Sequence, residues 1–416
     1  MSSTSAASSL SIDPPLNWML IDMNSYFASV EQHLRPELRG RRVGVIPVES
    51  ENTCVIAASY EAKRFGVKTG TRVRDARQMC PEIVLVKARP NLYVQTHHEI
   101  LQSVDKVLPV HKIYSIDEWT IRLQGEEQKR ERAVELANRL KQQLLRDFSP
   151  WLRCSIGIAP TRLLAKIASD LKKPDGLTVL VPAELPGRLE RFSLDDLCGI
   201  GHGMVARLDA HGIRSVEDLW ALDKQQAIQA WGSVGGGYWW AGLHGIDEPE
   251  MPTRRHSMSH SNVVGPEFRN DDGAYGILVR LLCRLGARLR HDDYFAQFLH
   301  VSVKNVRGGS WHEQIALPCV QDTPGLLQKF KELWRKRPRW EDPPLKVGVV
   351  VSDLVPASQV SQSLFEGIEK PRRASHVIDK INQKWGAATI YFGSMQDFRH
   401  HMDDKIAFGR IPPVIQ

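Results

Sequence analysis

The spacing of apolar positions divides the chain into segments that predict strands and segments that predict helices. In the first part, short apolar runs predict buried strands near 17–22, across 110–123 and in the run RCSIGIAP. Between them, apolar residues recur at helical spacing and predict helices near 26–34, 92–108 and 127–147. Strands that alternate with helices covering one sheet are typical of an α/β or α+β domain.

The pattern changes after residue 185. Short helical segments separated by glycines occupy 185–245, and the run TRRHSMSHSNVVG then leads into a unit with the predicted order β-α-β-β-α-β. Its strands are predicted near 257–264, 296–304, 311–317 and 345–353, and its helices near 273–290 and 323–337. Beyond about 358 the chain is polar and basic, with a short helix predicted at 375–385.

The composition is that of a globular protein with a moderate basic excess. A chain of 416 residues, 42% hydrophobic and 25% charged, is long enough for about two to four domains. The 55 Lys and Arg residues outnumber 48 Asp and Glu residues, which gives a net charge of +7. This excess is compatible with binding a polyanion but does not establish it.

The cysteines and the N-terminal segment indicate in which cellular compartment the protein is found. Six cysteines without C-x-x-C spacing argue against a disulfide framework or a zinc cage and favour a reducing environment. No apolar run approaches the ~20 residues needed to cross a bilayer, so no membrane contact is predicted. Residues 1–16 lack a basic start and a long apolar stretch, and we interpret them as the disordered leader of a cytoplasmic protein.

Acidic residues end two of the predicted strands. Asp22 closes the apolar run WMLIDMN, and the adjacent Asp117 and Glu118 close IYSIDE. An acid after a strand has a structural explanation, because it can be a helix cap or part of a surface salt bridge. Successive strand residues point to opposite faces, however, so Asp117 and Glu118 can converge only beside a hairpin turn or a distortion.

A cluster of these carboxylates would be unstable without cations, because the charges repel. Hard oxygen ligands suit Mg²⁺, which shares its shell with substrate phosphates. Two such ions about 3.5–4 Å apart could stabilise the entering and leaving oxygens of a displacement at phosphorus. The residues thus predict a metal-assisted phosphoryl or nucleotidyl transfer site, with a purely structural acid cluster as the alternative.

Five blocks of the sequence resemble those of Y-family translesion DNA polymerases of the DinB/UmuC type, in order and spacing, over residues 17 to about 360. The blocks are IDMNSYFASVEQ, SYEAKRFGVKTG, YSIDE, SIGIAPTRLLAKIASDLKKPDGL and LCGIGHGMVARL. The resemblance implies an α+β multidomain, right-handed polymerase with palm, small fingers, helix-hairpin-helix thumb and little finger. It also implies template-directed, error-prone DNA synthesis across lesions from deoxynucleoside triphosphates on primer-template DNA.

The resemblance sets the expected domain boundaries. The palm would comprise 17–25 and 89–180, the fingers 26–88 and the thumb 181–245. A linker at 246–256 would lead to the little finger at 257–357, and a tail would occupy 358–416.

Carried over by position, the resemblance implies roles for the active-site residues. Asp22 and Asp117 correspond to the acids that bridge two Mg²⁺ ions, Glu118 to the ligand nearest the primer 3′-OH, and Met23 to a carbonyl ligand. Phe27, beside Tyr26, takes the steric-gate position, where a ring rejects a ribonucleotide 2′-hydroxyl; without the motif it would be interpreted as a core residue. The residues expected around the triphosphate are Tyr60, Lys63, Arg64 and Lys173.

Three positions depart from the family pattern. Lys63 stands where Arg is frequent, so a point charge replaces a bidentate fork. The acids are followed by Trp119-Thr120-Ile121-Arg122 instead of a small residue, an aromatic and Leu-Asp, which leaves the packing beneath the primer terminus open. Cys198 stands where Pro is usual, and we expect a slightly looser turn there.

Two features predict contacts with DNA phosphates. The Gly-rich turn formed by Gly199, Gly201 and Gly203 could meet a phosphate at a helix start, with a simple tight turn as the alternative. In the third unit, a basic set predicts contacts that do not read sequence, with a solvated helix face as the alternative. It consists of Arg280, Arg284, Arg288, Lys304 and Arg307.

The tail contains VSQSLFEG, which resembles a sliding-clamp-binding peptide at 360–366. Leu364 and Phe365 match its apolar-aromatic pair, and ordinary tail packing is the alternative. Accessory mutagenesis subunits are further candidate partners. Two competing functions stay open at this point: a non-catalytic scaffold subunit of a mutagenic repair complex, and another palm-fold enzyme such as a nucleotidyl cyclase.

Overall fold

The computed structural model describes residues 14–249, 254–339, 341–361, 366–386, 388–398 and 411. These residues belong to two compact units, one within Met1–Glu250 and Lys405–Gln416 and the other within Met251–Asp404. Each unit buries an apolar core of its own, as separate domains do.

The first unit combines strands and helices up to residue 180 and is helical thereafter. Its strands are β1 (Trp18–Met23), β2 (Val43–Ile46), β3 (Ala57–Ala58), β4 (Val84–Lys87), β5 (Lys112–Ile113), β6 (Glu118–Arg122), β7 (Cys154–Ala159) and β8 (Leu177–Val179). Its helices are α1 (Tyr26–Leu34), α2 (Tyr60–Lys63), α3 (Val73–Met79), α4 (Pro90–Asp105), α5 (Arg130–Asp147), α6 (Arg162–Leu171), α7 (His202–Ala210), α8 (Val216–Trp220), α9 (Lys224–Trp231) and α10 (Gly235–Leu243).

A five-stranded sheet in the order β5-β6-β1-β7-β8 forms the centre of this unit. All neighbouring strands are antiparallel except β7 and β8. Met19 and Ile21 of β1 belong to the core with α4 and α5, whereas Leu20 packs with α6. Both faces of β1 are therefore covered, which explains its unbroken apolar run, and Asp22, in phase with Leu20, lies on the α6 side.

A hairpin between β5 and β6 carries the two adjacent acids. Ile113 pairs with Trp119, and residues 114–117 make the turn. The backbone N–H groups of Tyr114 and Ser115 both donate to the carbonyl oxygen of Glu118. Of the two arrangements that would let the acids converge, a hairpin turn or a distortion, the structure has the hairpin turn.

Helix α6 lies directly on β7 because Gly157 has no side chain. A Cβ atom at Gly157 would be 1.9 Å from the carbonyl oxygen of Ala165 and 2.5 Å from the amide nitrogen of Ser169. Both are backbone atoms of α6, so neither can rotate away. This close approach sets the distance at which α6 presents its side chains to the end of β1.

Two smaller parts complete the first unit. Strands β3-β2-β4 form a second sheet that shares an apolar core with α2 and α3. Helices α7 to α10 share a core with α6 and with Trp18 and Leu20 of β1. After α10, His244 stacks between Trp220 and Trp240, with ring centroids 4.3 and 4.2 Å apart, which holds α8 against α10.

The second unit is an antiparallel sheet with helices on one face. Its elements are β9 (Ser257–Val263), α11 (Asp271–His291), β10 (Tyr294–Asn305), β11 (Ser310–Val320), α12 (Thr323–Trp334), β12 (Pro344–Ser352), β13 (Val355–Pro356) and α13 (Glu366–Trp385). The main sheet has the order β11-β10-β12-β9, and β13 pairs with β10. The predicted β-α-β-β-α-β order is confirmed, with each element within about three residues of its expected bounds.

Helix α11 is the apolar centre of the second unit. Leu278, Leu282 and Leu285 are fully buried between the sheet and the other helices. Arg290, also buried, donates to both carboxylate oxygens of Asp379 in α13, at 2.6 and 2.8 Å. Helix α13, which is longer than the predicted helix at 375–385, is thereby fixed to this layer. Over the described ranges of both units, no helix has the length and apolar character needed to span a membrane.

A buried histidine supports the turn that carries the acids. His97 of α4 is fully buried, and its Nδ1–H donates to the carbonyl oxygen of Ile116 at 2.7 Å. Its ring meets Trp119 edge to face, with centroids 5.9 Å apart, and its Nε2 has no partner among the described residues. Burial lowers the pKa of His97 to about 4, because a second proton would be buried unpaired.

The first prediction concerns Gly157. We expect Gly157→Ala to lower the free energy of unfolding by at least about 2 kcal/mol, because the new methyl group would overlap backbone atoms of α6. The measurement is urea denaturation followed by tryptophan fluorescence. Gly187→Ala is the control, since its Cβ would have only the Glu190 Oε1 atom at 3.6 Å. Equal midpoints for the two variants would contradict the close packing of α6.

The second prediction concerns pH. The unfolded chain protonates His97 near its ordinary pKa of 6.5, whereas the folded protein does so only near pH 4, so stability falls as pH decreases through this window. We expect a loss of up to about 3 kcal/mol at pH 4 from this residue. Urea denaturation between pH 4 and 7 should show a flatter pH dependence for His97→Leu than for the wild type. Parallel curves would rule out this contribution.

Candidate active site

Asp22 and Glu118 face each other across the β1–β6 pair. They are direct cross-strand partners, and Asp22 also lies opposite Ser155 of β7. Directly opposed residues of an antiparallel pair have Cα atoms about 4.5–5.5 Å apart. Asp22 is nearly buried, with 7% of its surface exposed. The structure thus brings together two acids that are distant in sequence.

Asp117 lies next to this pair, in the turn before β6. Its carbonyl oxygen accepts a hydrogen bond from the N–H of Met23 at 2.8 Å. Its carboxylate accepts a hydrogen bond from the Ser115 hydroxyl at 2.5 Å. Burial raises the pKa of Asp117, the Ser115 bond opposes this shift and the charge of Asp22 adds to it. The three acids and Met23 therefore occupy one end of the central sheet.

Two lysine ammonium groups lie between the carboxylates. Lys166 Nζ is 2.5 Å from Asp22 Oδ2 and 2.7 Å from Glu118 Oε2. Lys173 Nζ is 2.7 Å from both Asp22 Oδ1 and Asp170 Oδ1. The sequence motif identifies Lys173, whereas Lys166 and Asp170 become apparent only in the structure. The available signal was the i, i+4 spacing of Lys166 and Asp170, which places both on one face of α6; Lys173 lies beyond the end of this helix.

The donor set of this cluster suits a hard cation. Its side-chain acceptors are carboxylate oxygens, and the Lys166 ammonium already lies between two of them. Within the described residues, no three Asp, Glu, His or Cys side chains form a ready-made metal site. Lysines hold Asp22 and Glu118, and the Ser115 hydroxyl holds Asp117. Cation binding here therefore requires these contacts to rearrange.

The residues predicted to bind a triphosphate lie beside the acids. Lys63 Nζ is 4.5 Å from the centroid of the Tyr60 ring. Burial and the charge of Asp22 raise the pKa of Tyr60 to about 12. Partial burial and repulsion from Lys173 lower the pKa of Lys63. Tyr60, Lys63 and Lys173 are thus within electrostatic reach of Asp22, and Arg64 is exposed at the end of α2.

The ring of Phe27 packs against a second aromatic ring, which is itself held by hydrogen bonds. The Phe27 ring stacks on Tyr93 of α4 with centroids 4.5 Å apart and planes inclined by 16°. The Tyr26 hydroxyl donates to the Tyr93 carbonyl oxygen at 2.7 Å, and the Tyr93 hydroxyl donates to Glu31 at 2.8 Å. Glu31 is fully buried and accepts two hydrogen bonds from Arg89. The position of the Phe27 ring is therefore determined by a connected network.

The residues after the acids have structural roles. Trp119 is fully buried in the core on the α4 side. The Arg122 guanidinium lies 4.5 Å from the Trp18 ring centroid and 2.5 Å from Asp247. Asp247 also accepts a hydrogen bond from the Trp18 indole N–H at 2.8 Å. Arg122 thus ties the segment that follows α10 to the central sheet.

The predicted Gly-rich turn precedes α7. Gly199 has φ +89°, a conformation that favours glycine. A Cβ atom at Gly201 or Gly203 would meet nothing within 4 Å, so the start of α7 is open, as phosphate binding requires. The carbonyl oxygen of Cys198 accepts a hydrogen bond from the Trp239 indole at 3.2 Å, so the turn is held from within the unit.

The arginines of α11 do not share one exposed face. Arg280 is buried, with 7% of its surface exposed, and Arg288 is half-buried, 3.8 Å from Asp292. Arg284 is exposed. The alternative of a solvated helix face is therefore wrong for Arg280, because α11 lies between the sheet and other helices. A contact of these arginines with DNA stays a prediction.

The sheet face opposite the helices of the second unit presents small and basic side chains. By register it carries Ser257, Ser259, Ser261 and Val263 of β9, Lys346, Gly348, Val350 and Ser352 of β12, Phe298, His300, Ser302 and Lys304 of β10, and Ser310, His312, Gln314 and Ala316 of β11. None of these positions is acidic. Lys304, a predicted contact, pairs with Lys346, whereas Arg307 lies in the next turn, 3.3 Å from Asp342. Lys346 is not among the predicted contacts, although strand alternation places it on this face.

Comparison with known proteins identifies relatives along most of the chain. The sequence model of the impB/mucB/samB family matches residues 21–170, and that of the C-terminal domain of this family matches residues 255–364. DNA polymerase IV of Moorella thermoacetica is 33% identical over 385 residues, which cover 90% of this chain and 94% of that protein. DNA polymerase IV 1 of Bacillus subtilis is 27% identical over 388 residues, which cover 90% and 92%.

Solved structures share the fold. A chimeric Y-family DNA polymerase built from Dbh and Dpo4 superimposes with a TM-score of 0.66 at 22% identity, covering 81% of this chain and 99% of that one. An insertion ternary complex of Dbh DNA polymerase gives a TM-score of 0.52 at the same identity and coverage. The α+β polymerase architecture is thereby confirmed. Because the family models cover more than half of the chain and one DNA polymerase IV matches nearly its full length, the chain belongs to the impB/mucB/samB family, the Y-family DNA polymerases of the DinB/UmuC type, and is a DNA-directed DNA polymerase of translesion synthesis.

Proposed function

We propose that the chain extends a primer 3′-OH by nucleotidyl transfer, with Asp22, Asp117 and Glu118 as its catalytic carboxylates. The observation that carries this proposal is the meeting of the three acids at one end of the β1–β6 pair. Together with the Met23 carbonyl oxygen they would hold two Mg²⁺ ions, which stabilise charge at phosphorus and favour deprotonation of the attacking hydroxyl. The all-oxygen donor set supports Mg²⁺ as the ion.

The incoming dNTP would be bound through its phosphates by Tyr60, Lys63 and Lys173. Burial and, to a lesser extent, repulsion from Lys173 lower the pKa of Lys63. A triphosphate between them would relieve this repulsion, and Arg64 would add a cation at the edge of the site. The two lysines would thus contribute binding energy for the triphosphate of the substrate.

Phe27 would select deoxyribonucleotides. A 2′-hydroxyl needs space that the ring occupies, and the ring cannot withdraw because Tyr93 lies directly behind it. Tyr26 contributes by holding the Tyr93 backbone. Selection would therefore depend on the rigidity of the aromatic pair as well as on the presence of the Phe27 ring.

DNA would contact each unit separately through phosphates. In the first unit, the open start of α7 behind Gly199 offers backbone N–H groups. In the second unit, the sheet face with Lys304 and Lys346 offers positive charge and small side chains without an acid. Such binding is independent of sequence and weakens steeply with salt.

Further partners and the location rest on sequence alone. Residues 360–366 would bind the sliding clamp, which would raise the local concentration of the polymerase at a primer end. Leu364 and Phe365, the pair proposed to enter the clamp, lie outside the described residues. Accessory mutagenesis subunits remain candidates without a defined surface. We infer a cytoplasmic location from the composition and the cysteine pattern.

The third prediction tests catalysis. We expect Asp117→Asn to slow primer extension on a damaged template on the order of 10³-fold, because a metal ligand is lost, while DNA binding is retained. Rates come from single-turnover extension, and Asp147→Asn, an exposed acid paired with Lys106, is the control. A wild type that binds DNA but extends no primer would instead support the scaffold alternative.

The fourth prediction tests nucleotide selection. We expect Phe27→Ala to reduce the preference for dNTP over rNTP, measured as the ratio of kcat/KM values, by roughly 100-fold, because the truncated side chain leaves space for the 2′-hydroxyl. Phe65→Ala is the control, since this ring is exposed and contacts Arg42. An unchanged ratio for Phe27→Ala would remove the residue from this role.

A further inference from the structure

Lys166 fills the space between two carboxylates to which the proposed function assigns metal ions. Its Nζ atom is 2.5 Å from Asp22 Oδ2 and 2.7 Å from Glu118 Oε2. Only 17% of the Lys166 side chain is exposed, and Asp22 and Glu118 are similarly enclosed, at 10% and 20%. The contact is therefore a nearly buried ion triad, in which Lys166 is a counter-charge shared by the two acids, and Asp22 has a second counter-charge in Lys173.

An ammonium group and a divalent cation cannot both occupy this space. Mg²⁺ lies about 2.0–2.1 Å from its oxygen ligands. The ammonium lies within 2.7 Å of the same oxygens, so the two cations would be at overlapping positions. A single metal ion that takes Asp22 Oδ2 and Glu118 Oε2 as ligands must therefore displace the Lys166 ammonium from these two oxygens.

Asp170 offers Lys166 an alternative partner. It lies one helical turn further along α6, with its Oδ2 atom 3.8 Å from Lys166 Nζ. Its other oxygen, Oδ1, is held by Lys173 at 2.7 Å, so the carboxylate is already oriented with Oδ2 towards Lys166. Lys166 and Asp170 are at i and i+4 on α6, the spacing at which oppositely charged side chains pair on a helix surface.

We propose that Lys166 is a resident counter-cation, which positions Asp22 and Glu118 in the metal-free enzyme and withdraws to Asp170 when a divalent cation enters. This inference rests on the metal-ligand role that the proposed function gives to Asp22 and Glu118. Two consequences follow. The acids keep their places without metal, and the free enzyme binds divalent cations weakly because each must displace the lysine. The nucleotide triphosphate then favours metal entry by adding negative charge.

The fifth prediction concerns the affinity of the full-length, nucleotide-free protein for Mn²⁺. The measurement is electron paramagnetic resonance of free Mn²⁺. We expect Lys166→Met to raise the affinity on the order of tenfold or more, because the competing charge is gone. Lys166→Arg keeps a cation and should stay near the wild-type value. Lys141→Met is the matched control, since this lysine has similar exposure and pairs with Asp175 rather than with any of the three acids.

Asp170 provides a second, independent arm of the same experiment. Asp170→Asn should weaken Mn²⁺ binding several-fold in the wild-type background, because the displaced lysine loses its alternative partner. In the Lys166→Met background the same substitution should have little effect, so the two changes should be strongly non-additive. A purely structural role of Asp170 would give the same loss in both backgrounds.

Thermal unfolding without metal supplies a readout that does not involve Mn²⁺ affinity. In EDTA, Lys166→Met should unfold at a lower temperature than the wild type, because the acids then repel each other. Adding Mn²⁺ should restore more stability to the variant than to the wild type. Equal responses of the two proteins would contradict the counter-cation role.

The outcomes separate this inference from the proposed function. If the wild type binds Mn²⁺, Asp22→Asn abolishes binding and Lys166→Met changes nothing, the metal site stands and the role of Lys166 is overturned. If neither the wild type nor Lys166→Met binds Mn²⁺, the metal-ligand role of the acids is itself contradicted and the inference falls with it.

Discussion

Charge balance at the end of β1 is the constraint on which the active site depends. Asp22, Asp117 and Glu118 are close enough to repel one another, and Lys166 and Lys173 lie between or beside them. Helix α6 carries Lys166, and Lys173 follows it directly, so the balance requires α6 to lie close to the sheet. Gly157 makes this possible, because any side chain there would push the helix backbone away. A missing side chain in the core thus determines the geometry of a charged site.

A single face of α4 supports both the ring of Phe27 and the turn that carries Asp117. Tyr93 and His97, at i and i+4, are both buried and lie on one side of the helix. Tyr93 backs the ring of Phe27, while His97 binds the carbonyl oxygen of Ile116 and so steadies the turn that carries Asp117. The positions of the Phe27 ring and of the turn that carries Asp117 therefore both depend on α4, and a shift of this helix would disturb both.

In the second unit, the two faces of the sheet differ in character. Its helices and one sheet face enclose the apolar core, and this burial extends to Arg280. Serine is the most frequent residue on the other sheet face, and Lys304 and Lys346 form a cross-strand pair of like charge there. Such a pair is unfavourable in isolation, so its presence is consistent with a polyanionic partner that offsets the repulsion.

The sequence by itself determined the order of elements in the second unit and the family, because strand and helix periodicity and short motifs are local properties. Beside Asp117 it required either a hairpin turn or a distortion. It also identified Lys173 and Phe27 through the motifs that contain them. Only the tertiary structure decided that Lys166 bridges Asp22 and Glu118, that Tyr93 lies behind Phe27 and that Arg280 is buried. These facts depend on how closely segments far apart in the sequence pack against each other. Periodicity shows which side of a helix is apolar, but it does not show which residues pack against that side.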